Sequence, residues 1–296
     1  MRASPFRLVA AYAAVGLIWG STYLAIKVGL ASFDPFFYAG LRYALATLLT
    51  FALARAQGVP FGGPLRRWWP AFGVGVLLVA VCNGAVFWAE TRLDSGFTAL
   101  LLTTSPVFTA LLSPLLARDP APSPAGWLGI ALGFGGIVVL IEPWHASNVT
   151  IIPAVVAEIS VVVWAVGSLW VRSIRERFHP MALAVAQMAS GAVVLLAISA
   201  VRGPAVVGPV TGRSLAALGY LVVFGSAVGF VAYFYLLSHW DATRVATTTY
   251  VNTVVALVLG VVLLGEPVTW SMIGGTAVVF AGVALVLREQ QAAVQT

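Results

Sequence analysis

A chain of 296 residues that is 60% hydrophobic and only 9% charged, with mean hydropathy +0.98, lies far from the roughly 25% charge of a soluble domain. That excludes an ordinary water-soluble globule, and the single Cys82 excludes an intramolecular disulfide. The formal charge of +6 does not argue for nucleic acid, because the arginines flank apolar runs and read as topology signals.

Apolar runs of about 20 residues recur along the chain, the length that a ~30 Å hydrocarbon layer requires. Arg2 and Arg7 before the first run look like the start of a signal peptide. The run outlasts the usual apolar core and lacks a small-residue cleavage site, so an uncleaved first span is expected. The spans are read as helices because barrel strands would alternate polar and apolar residues, and these do not. They are expected at roughly 8–30, 35–55, 70–91, 95–117 and 124–141, then 150–173, 180–201, 213–237, 242–264 and 270–287. Gly58 to Pro64, Asp119 to Pro124 and Gly203 to Gly212 mark the longer loops.

The first span opens a stretch that the chain contains twice. WGSTYLAIKVGLASFDP begins at Trp19 and ends at Pro35; WAVGSLWVRSIRERFHP begins at Trp164 and ends at Pro180. Lys27 is answered by Arg172, Phe33 by Phe178 and Asp34 by His179, all at an offset of 145. At an offset of 147, Asp94 answers Asp241 and Asp119-Pro120 answers Glu266-Pro267. Each half is therefore one unit of a duplication, residues 1–148 and 149–296.

With a cytoplasmic N-terminus, eleven arginines fall on cytoplasmic ends (Arg2, Arg7, Arg55, Arg66, Arg67, Arg118, Arg172, Arg175, Arg177, Arg244, Arg288). Arg92, Arg202 and Arg213 fall opposite, while Lys27 and Arg42 sit inside apolar runs near the outer side. The bias puts both termini inside. Five spans per half then insert the second half upside down. The expected fold is an all-α membrane protein of ten transmembrane helices in two inverted five-helix repeats, a recurrent transporter design with its site at the repeat interface.

Tyr12, Gly16, Trp19 and Tyr23 share one face of the first helix, with Lys27 about 40° further round. Such a stripe suits a cavity wall that holds a ring or apolar side chain beside a carboxylate; Trp164 and Arg172 repeat the arrangement. Packing aromatics with Lys27 snorkelling to the interface is the bland alternative. Glu158, two turns into the sixth helix, is read as a proton-coupling carboxylate, a partner for a hydroxyl, amide or arginine, or a shallow residue wetted from the outer side. Glu90 is expected in an interfacial ion pair with Arg92, and Asn83 is expected to face other helices. Thr103, Thr104 and Ser105 precede Pro106, whose missing donor predicts a kink and a freed carbonyl. Thr247, Thr248, Thr249, Tyr250 and Asn252 reply in the ninth helix. Polar residues at mid-depth in both suit a central pathway; hydroxyls bonded to their own helices are the plainer reading. His145, His179 and His239 lie at or near loops without metal-ligand spacing, and there is no Walker loop. No cofactor, metal or catalytic centre is expected.

The stretch IWGSTYLAIKVGL, followed by Asp34-Pro35 and GLRY from Gly40, resembles the start of EamA transporters of the drug/metabolite transporter superfamily. Asn83 to Pro106 (NGAVFWAETRLDSGFTALLLTTSP) and the acidic residues closing each half resemble the family as well. The resemblance implies a multi-pass permease of the bacterial inner membrane whose first, third and fourth helices in each half surround a central cavity. It points to Trp19, Tyr23, Asn83, Phe87, Trp88 and Ser105, and to Glu158, Trp164, Ser168, Tyr233, Tyr250 and Asn252, as substrate-binding residues. Lys27, Arg172 and Pro106 are expected to serve gating or charge. Family members export neutral and aromatic amino acids or other small metabolites. Unlike small multidrug relatives, whose first helix carries a glutamate, residues 8–30 contain no acid. The expected activity is amino-acid and metabolite export by alternating access, by a monomer with a small-molecule substrate and the lipid bilayer as its partners. Multidrug or other efflux, with proton coupling as an option, is the alternative. A phosphorylated-sugar carrier would need Lys27, Arg42 and Arg172 together in the cavity, and an intramembrane hydrolase would need histidines at depth.

Overall fold

The computed structural model describes residues 5–117, 121–141, 148–240 and 242–293. Arg2, Arg118, Asp119, Pro120, His145 and Asp241, singled out above, lie outside them. The described chain is helical, with one isolated bridge between Phe33 and Val206. Among the described residues, eight helices are long and apolar enough to cross a membrane, and two further apolar helices are shorter. In chain order they are α1 (Pro5–Leu30), α2 (Pro35–Ala56), α3 (Leu65–Ala89), α4 (Ser95–Leu116) and α5 (Pro124–Ile141). Then follow α6 (Asn148–Ile174), α7 (Pro180–Arg202), α8 (Gly212–Leu237), α9 (Arg244–Leu264) and α10 (Trp270–Ala293).

Local sequence explains the boundaries. Asp34 starts α2 by accepting from the amides of Phe36 and Phe37, both at 3.0 Å, with Pro35 supplying a fixed φ where no donor is needed. His179, 145 positions on, does the same for α7: its Nδ1 accepts from Met181 N at 3.3 Å ahead of Pro180. Gly265, at φ 68°, ends α9 in the left-handed region. Both α3 and α8 are wound as π-helix in their middles, over Val76–Asn83 and Leu221–Val228, again 145 positions apart. The α4 rod breaks at Thr103-Thr104, and Pro106 sits in the first turn of the segment that resumes at Ser105. The α9 rod breaks at Thr247.

Helices pair α1 with α9, α4 with α6, α2 with α7, and α5 with α10. Lipid tails are as apolar as leucine, so close packing rather than water exclusion must hold such pairs. Gly20 shows how close: a Cβ there would lie 2.6 Å from the Asn252 carbonyl oxygen of α9. Large apolar side chains such as Leu48, Phe51, Val193 and Val262 face outward, as a hydrocarbon solvent allows.

The end of the bundle where α1 and α3 finish is tied across helices. Lys27 Nζ donates to the carbonyls of Glu90 (2.9 Å) and Leu93 (2.6 Å), a cation at a helix C-terminus. Glu266, just past α9, accepts from Ser95 N (2.8 Å), Ser95 Oγ (2.7 Å) and Gly96 N (2.8 Å) at the start of α4. At the opposite end Arg67 donates to the Arg177 carbonyl at 2.7 Å, Arg175 to the Leu237 carbonyl, and Arg244 covers the Trp240 ring at 4.0 Å.

Candidate functional site

A cavity of about 90 Å³ lies between α1, α2, α3, α4, α6, α8 and α9.

One wall is aromatic. Trp19 of α1 meets Trp164 of α6 edge-on at 5.5 Å, and both contact Tyr233 of α8, at 5.0 and 5.2 Å. Phe230 closes the cluster 5.5 Å from Trp19. The duplicated tryptophans thus converge on one point. The Trp19 indole N–H donates to the Gly225 carbonyl at 3.1 Å. Tyr233 shares a hydrogen bond with Ser168 Oγ at 2.6 Å, and Ser168 donates to the Trp164 carbonyl at 2.7 Å. Ser168 therefore stands behind the wall and holds Tyr233 in place.

The other wall is polar. Tyr23, Asn83, Ser105 and Asn252 line the cavity. The finer expectations fare differently. Asn83 faces the cavity, and its Nδ2 donates to Leu78 O within its own π segment at 2.7 Å, not to a neighbouring helix. The hydroxyls at the helix breaks bond mostly to their own helices: Thr104 to Leu101 O (2.8 Å), Thr248 to Val245 O (2.9 Å), Thr249 to Ala246 O (2.7 Å). Asn252 ties α9 to α1; with its amide nitrogen toward the acceptors it donates to Gly16 O at 2.7 Å. Ser105 differs, for its hydroxyl is buried on the cavity without a partner among the described residues.

Besides Ser168, seven candidates stand outside the cavity lining. Phe87 is fully buried against Tyr38, ring centroids 5.5 Å apart. Trp88 is covered by the Arg92 guanidinium at 4.8 Å. Tyr250 packs edge-on against Phe280 of α10 at 4.9 Å. Glu158 accepts from Thr104 Oγ1 at 3.0 Å, leaving its second oxygen without a partner among the described residues. Arg172 is half-buried in the last turn of α6. Pro106 is buried at the α4 break. Lys27 is engaged with backbone carbonyls. Glu90 is not an interfacial ion pair: it is fully buried and neither oxygen has a hydrogen-bond partner among the described residues, while Arg92 turns to Trp88.

Arg42 enters a sequence reading as a cation inside an apolar run and as one of three needed for a phosphorylated sugar. In the structure it is 2% exposed and lines the cavity. Its Nε donates to Ser226 Oγ at 2.7 Å and Nη2 to the Gly225 carbonyl at 3.1 Å; its Cζ stands 4.7 Å from the Tyr43 ring centroid and 5.7 Å from that of Phe87. The signal was available, since an ionisable side chain inside a span costs roughly 2.5–3.5 kcal/mol on insertion scales and marks a functional site by default. Thr22, Ser160 and Phe230 also join the lining, and nothing in their spacing sets them apart.

A family model described as the EamA-like transporter family matches residues 8–142 and again 151–288. The uncharacterized inner membrane transporter YedA of Escherichia coli is 35% identical over 286 residues, spanning 95% of this chain and 90% of that protein. An uncharacterized transporter of Archaeoglobus fulgidus is 26% identical over 280 residues, 92% of this chain and 95% of its own. A solved crystal structure superposes with a TM-score of 0.72 at 20% identity, covering 96% of this chain and 98% of that one, a likeness of fold.

Proposed function

Because the chain belongs to the EamA-like transporter family, as a multi-pass inner membrane transporter, we propose that it exports neutral and aromatic amino acids and related small metabolites by alternating access. The single observation that carries this reading is the axial cavity, walled by aromatics from both halves and lined by hydroxyls and amides. Trp19, Tyr23, Asn83, Ser105, Trp164, Tyr233 and Asn252 are the substrate-contacting set, with Ser168 positioning Tyr233.

The moving parts are two inverted five-helix units, residues 1–148 and 149–296, in a ten-span monomer with both termini cytoplasmic. Three correspondences at an offset of 145 support that arrangement: the Trp-to-Pro stretch, the helix caps at Asp34 and His179, and the π segments. The arginine bias supports the orientation. Lys27 and Glu266 then close the outer end, and release of the Glu266 contact with α4 opens it.

The aromatic cluster also favours multidrug efflux, and one pair of assays separates the two. Reconstituted protein should take up labelled phenylalanine or leucine into proteoliposomes in preference to cationic dyes. Uptake of dyes alone shifts the assignment to multidrug efflux; uptake of neither overturns both.

A further inference from the structure

We propose that Arg42 anchors one carboxylate of the transported molecule, and that the cavity selects cargo by this carboxylate and an apolar or aromatic tail rather than by an amino group. This deepens the transport reading and rests on it.

A guanidinium carries five N–H donors in a rigid fork. Two are engaged, with Ser226 Oγ and the Gly225 carbonyl; Nη1 has no hydrogen-bond partner among the described residues. Among those residues, no carboxylate lies within ion-pair distance of Arg42. Glu90 acts on it through space, as it does on Lys27. The contacts with Ser226, Gly225 and the Tyr43 ring hold the fork still, and a held fork is the form in which arginine binds a planar carboxylate two-pronged. The Ser105 hydroxyl, buried and without a partner, is a second donor on the same cavity.

The remaining charges define the class. Lys27 is occupied by the end of α3, so among the described lining residues Arg42 is the sole cation, which suits a monoanion rather than a phosphate dianion. No acidic side chain is among the lining residues, so nothing there pairs with an ammonium. The aromatic cluster of Trp19, Trp164, Phe230 and Tyr233 receives the tail.

The test uses full-length protein in proteoliposomes, counterflow of labelled phenylalanine, and four unlabelled competitors: phenylalanine, phenylpyruvate, phenethylamine and phenyl phosphate. Phenylpyruvate should compete within about threefold of phenylalanine, and phenethylamine roughly 10- to 100-fold more weakly, the range of a lost charge-assisted hydrogen bond. Arg42→Gln should bring that discrimination below about threefold and Arg42→Lys should retain part of it. Thermal shifts with phenylpyruvate and phenethylamine give a second readout. If phenylalanine is not carried but phenylpyruvate alone stabilises the wild type, the anchor stands and amino-acid export falls. If acid and amine compete equally in the wild type, or phenyl phosphate outcompetes both, the anchor is wrong while transport stands. If no carboxylate is carried or stabilises the protein, the proposal is overturned. The wild-type series decides even where a variant fails to fold.

Discussion

Replacing Glu266 by glutamine keeps the side chain's shape and removes its charge, which isolates the contact between the end of α9 and the start of α4. The carboxylate accepts three hydrogen bonds of 2.7–2.8 Å from Ser95 and Gly96, at a helix N-terminus where an anion is favoured. In Glu266→Gln the amide oxygen keeps the two Ser95 donors and the amide nitrogen faces the Gly96 N–H, donor against donor. An unmade bond to a buried donor costs about 1–3 kcal/mol. Glu266 is only half-buried, so water offsets part of this, and about 2 kcal/mol remains, or roughly 30-fold in the opening equilibrium. The chain carries its own reporter of opening. Cys82 is its single cysteine, is buried, and lines the cavity. A membrane-impermeant maleimide applied in sealed vesicles to the face bearing Glu266 should label Cys82 in Glu266→Gln about 10- to 30-fold faster than in the wild type, with no change from the opposite face. Equal rates from the Glu266 face, with an unchanged unfolding temperature, would refute the claim that this contact holds that end shut.

Gly20→Ala should lower the detergent unfolding temperature, since its Cβ meets the Asn252 backbone at 2.6–2.9 Å and overpacking costs about 1–3 kcal/mol; Gly274→Ala, which meets nothing within 4 Å, should leave it unchanged or higher. Gly225→Ala places a methyl 2.8 Å from Thr22 and 3.1 Å from Arg42 Nη2, so affinity for phenylpyruvate should fall several-fold, whereas Gly219→Ala on the same helix should be silent by the same counterflow measurement. Ser105→Ala should leave the unfolding temperature unchanged or raised, because its buried hydroxyl has no partner among the described residues, yet weaken substrate competition roughly 3- to 10-fold, the worth of a neutral hydrogen bond. Glu158→Gln keeps an acceptor for Thr104 and should keep transport under a pH gradient; loss of gradient dependence alone would assign Glu158 the proton-carrying role.

Features that repeat along the chain were legible because the repeat exposes them twice. The shared Trp-to-Pro spacing led to two helix caps at equivalent positions and to two tryptophans that meet at 5.5 Å. Features that depend on which neighbour a face meets were not legible. Depth in an apolar run can be counted, but Arg42 facing an axial cavity and Lys27 facing carbonyls look the same along the chain. Phe87 and Trp88 illustrate the difficulty. Asn83 and Val86 line the cavity, whereas Phe87, only about 40° round the helix from Asn83, packs on Tyr38 instead, a difference that position along the helix does not reveal. The polar residues at the two helix breaks were found, and the plainer reading held for most of their hydroxyls, because a hydroxyl in hydrocarbon bonds first to the nearest carbonyl, its own helix's.

The π segments connect these observations. Winding that skips the usual i−4 acceptor leaves backbone carbonyls available to side chains, and such turns cluster at functional sites. In α3 the Leu78 carbonyl accepts from Asn83 Nδ2. In α8 the Gly225 carbonyl takes both the Trp19 indole and the Arg42 guanidinium. One carbonyl thereby fixes the aromatic wall and the cation that face the same space, on α1 and α2, from a helix of the other half. Any rotation of α8 that moves Gly225 must move ring and charge together. In the proposed cycle, tail and carboxylate sites would then form and disperse in one step, which couples cargo release to the rocking of the halves without a separate gate at mid-depth.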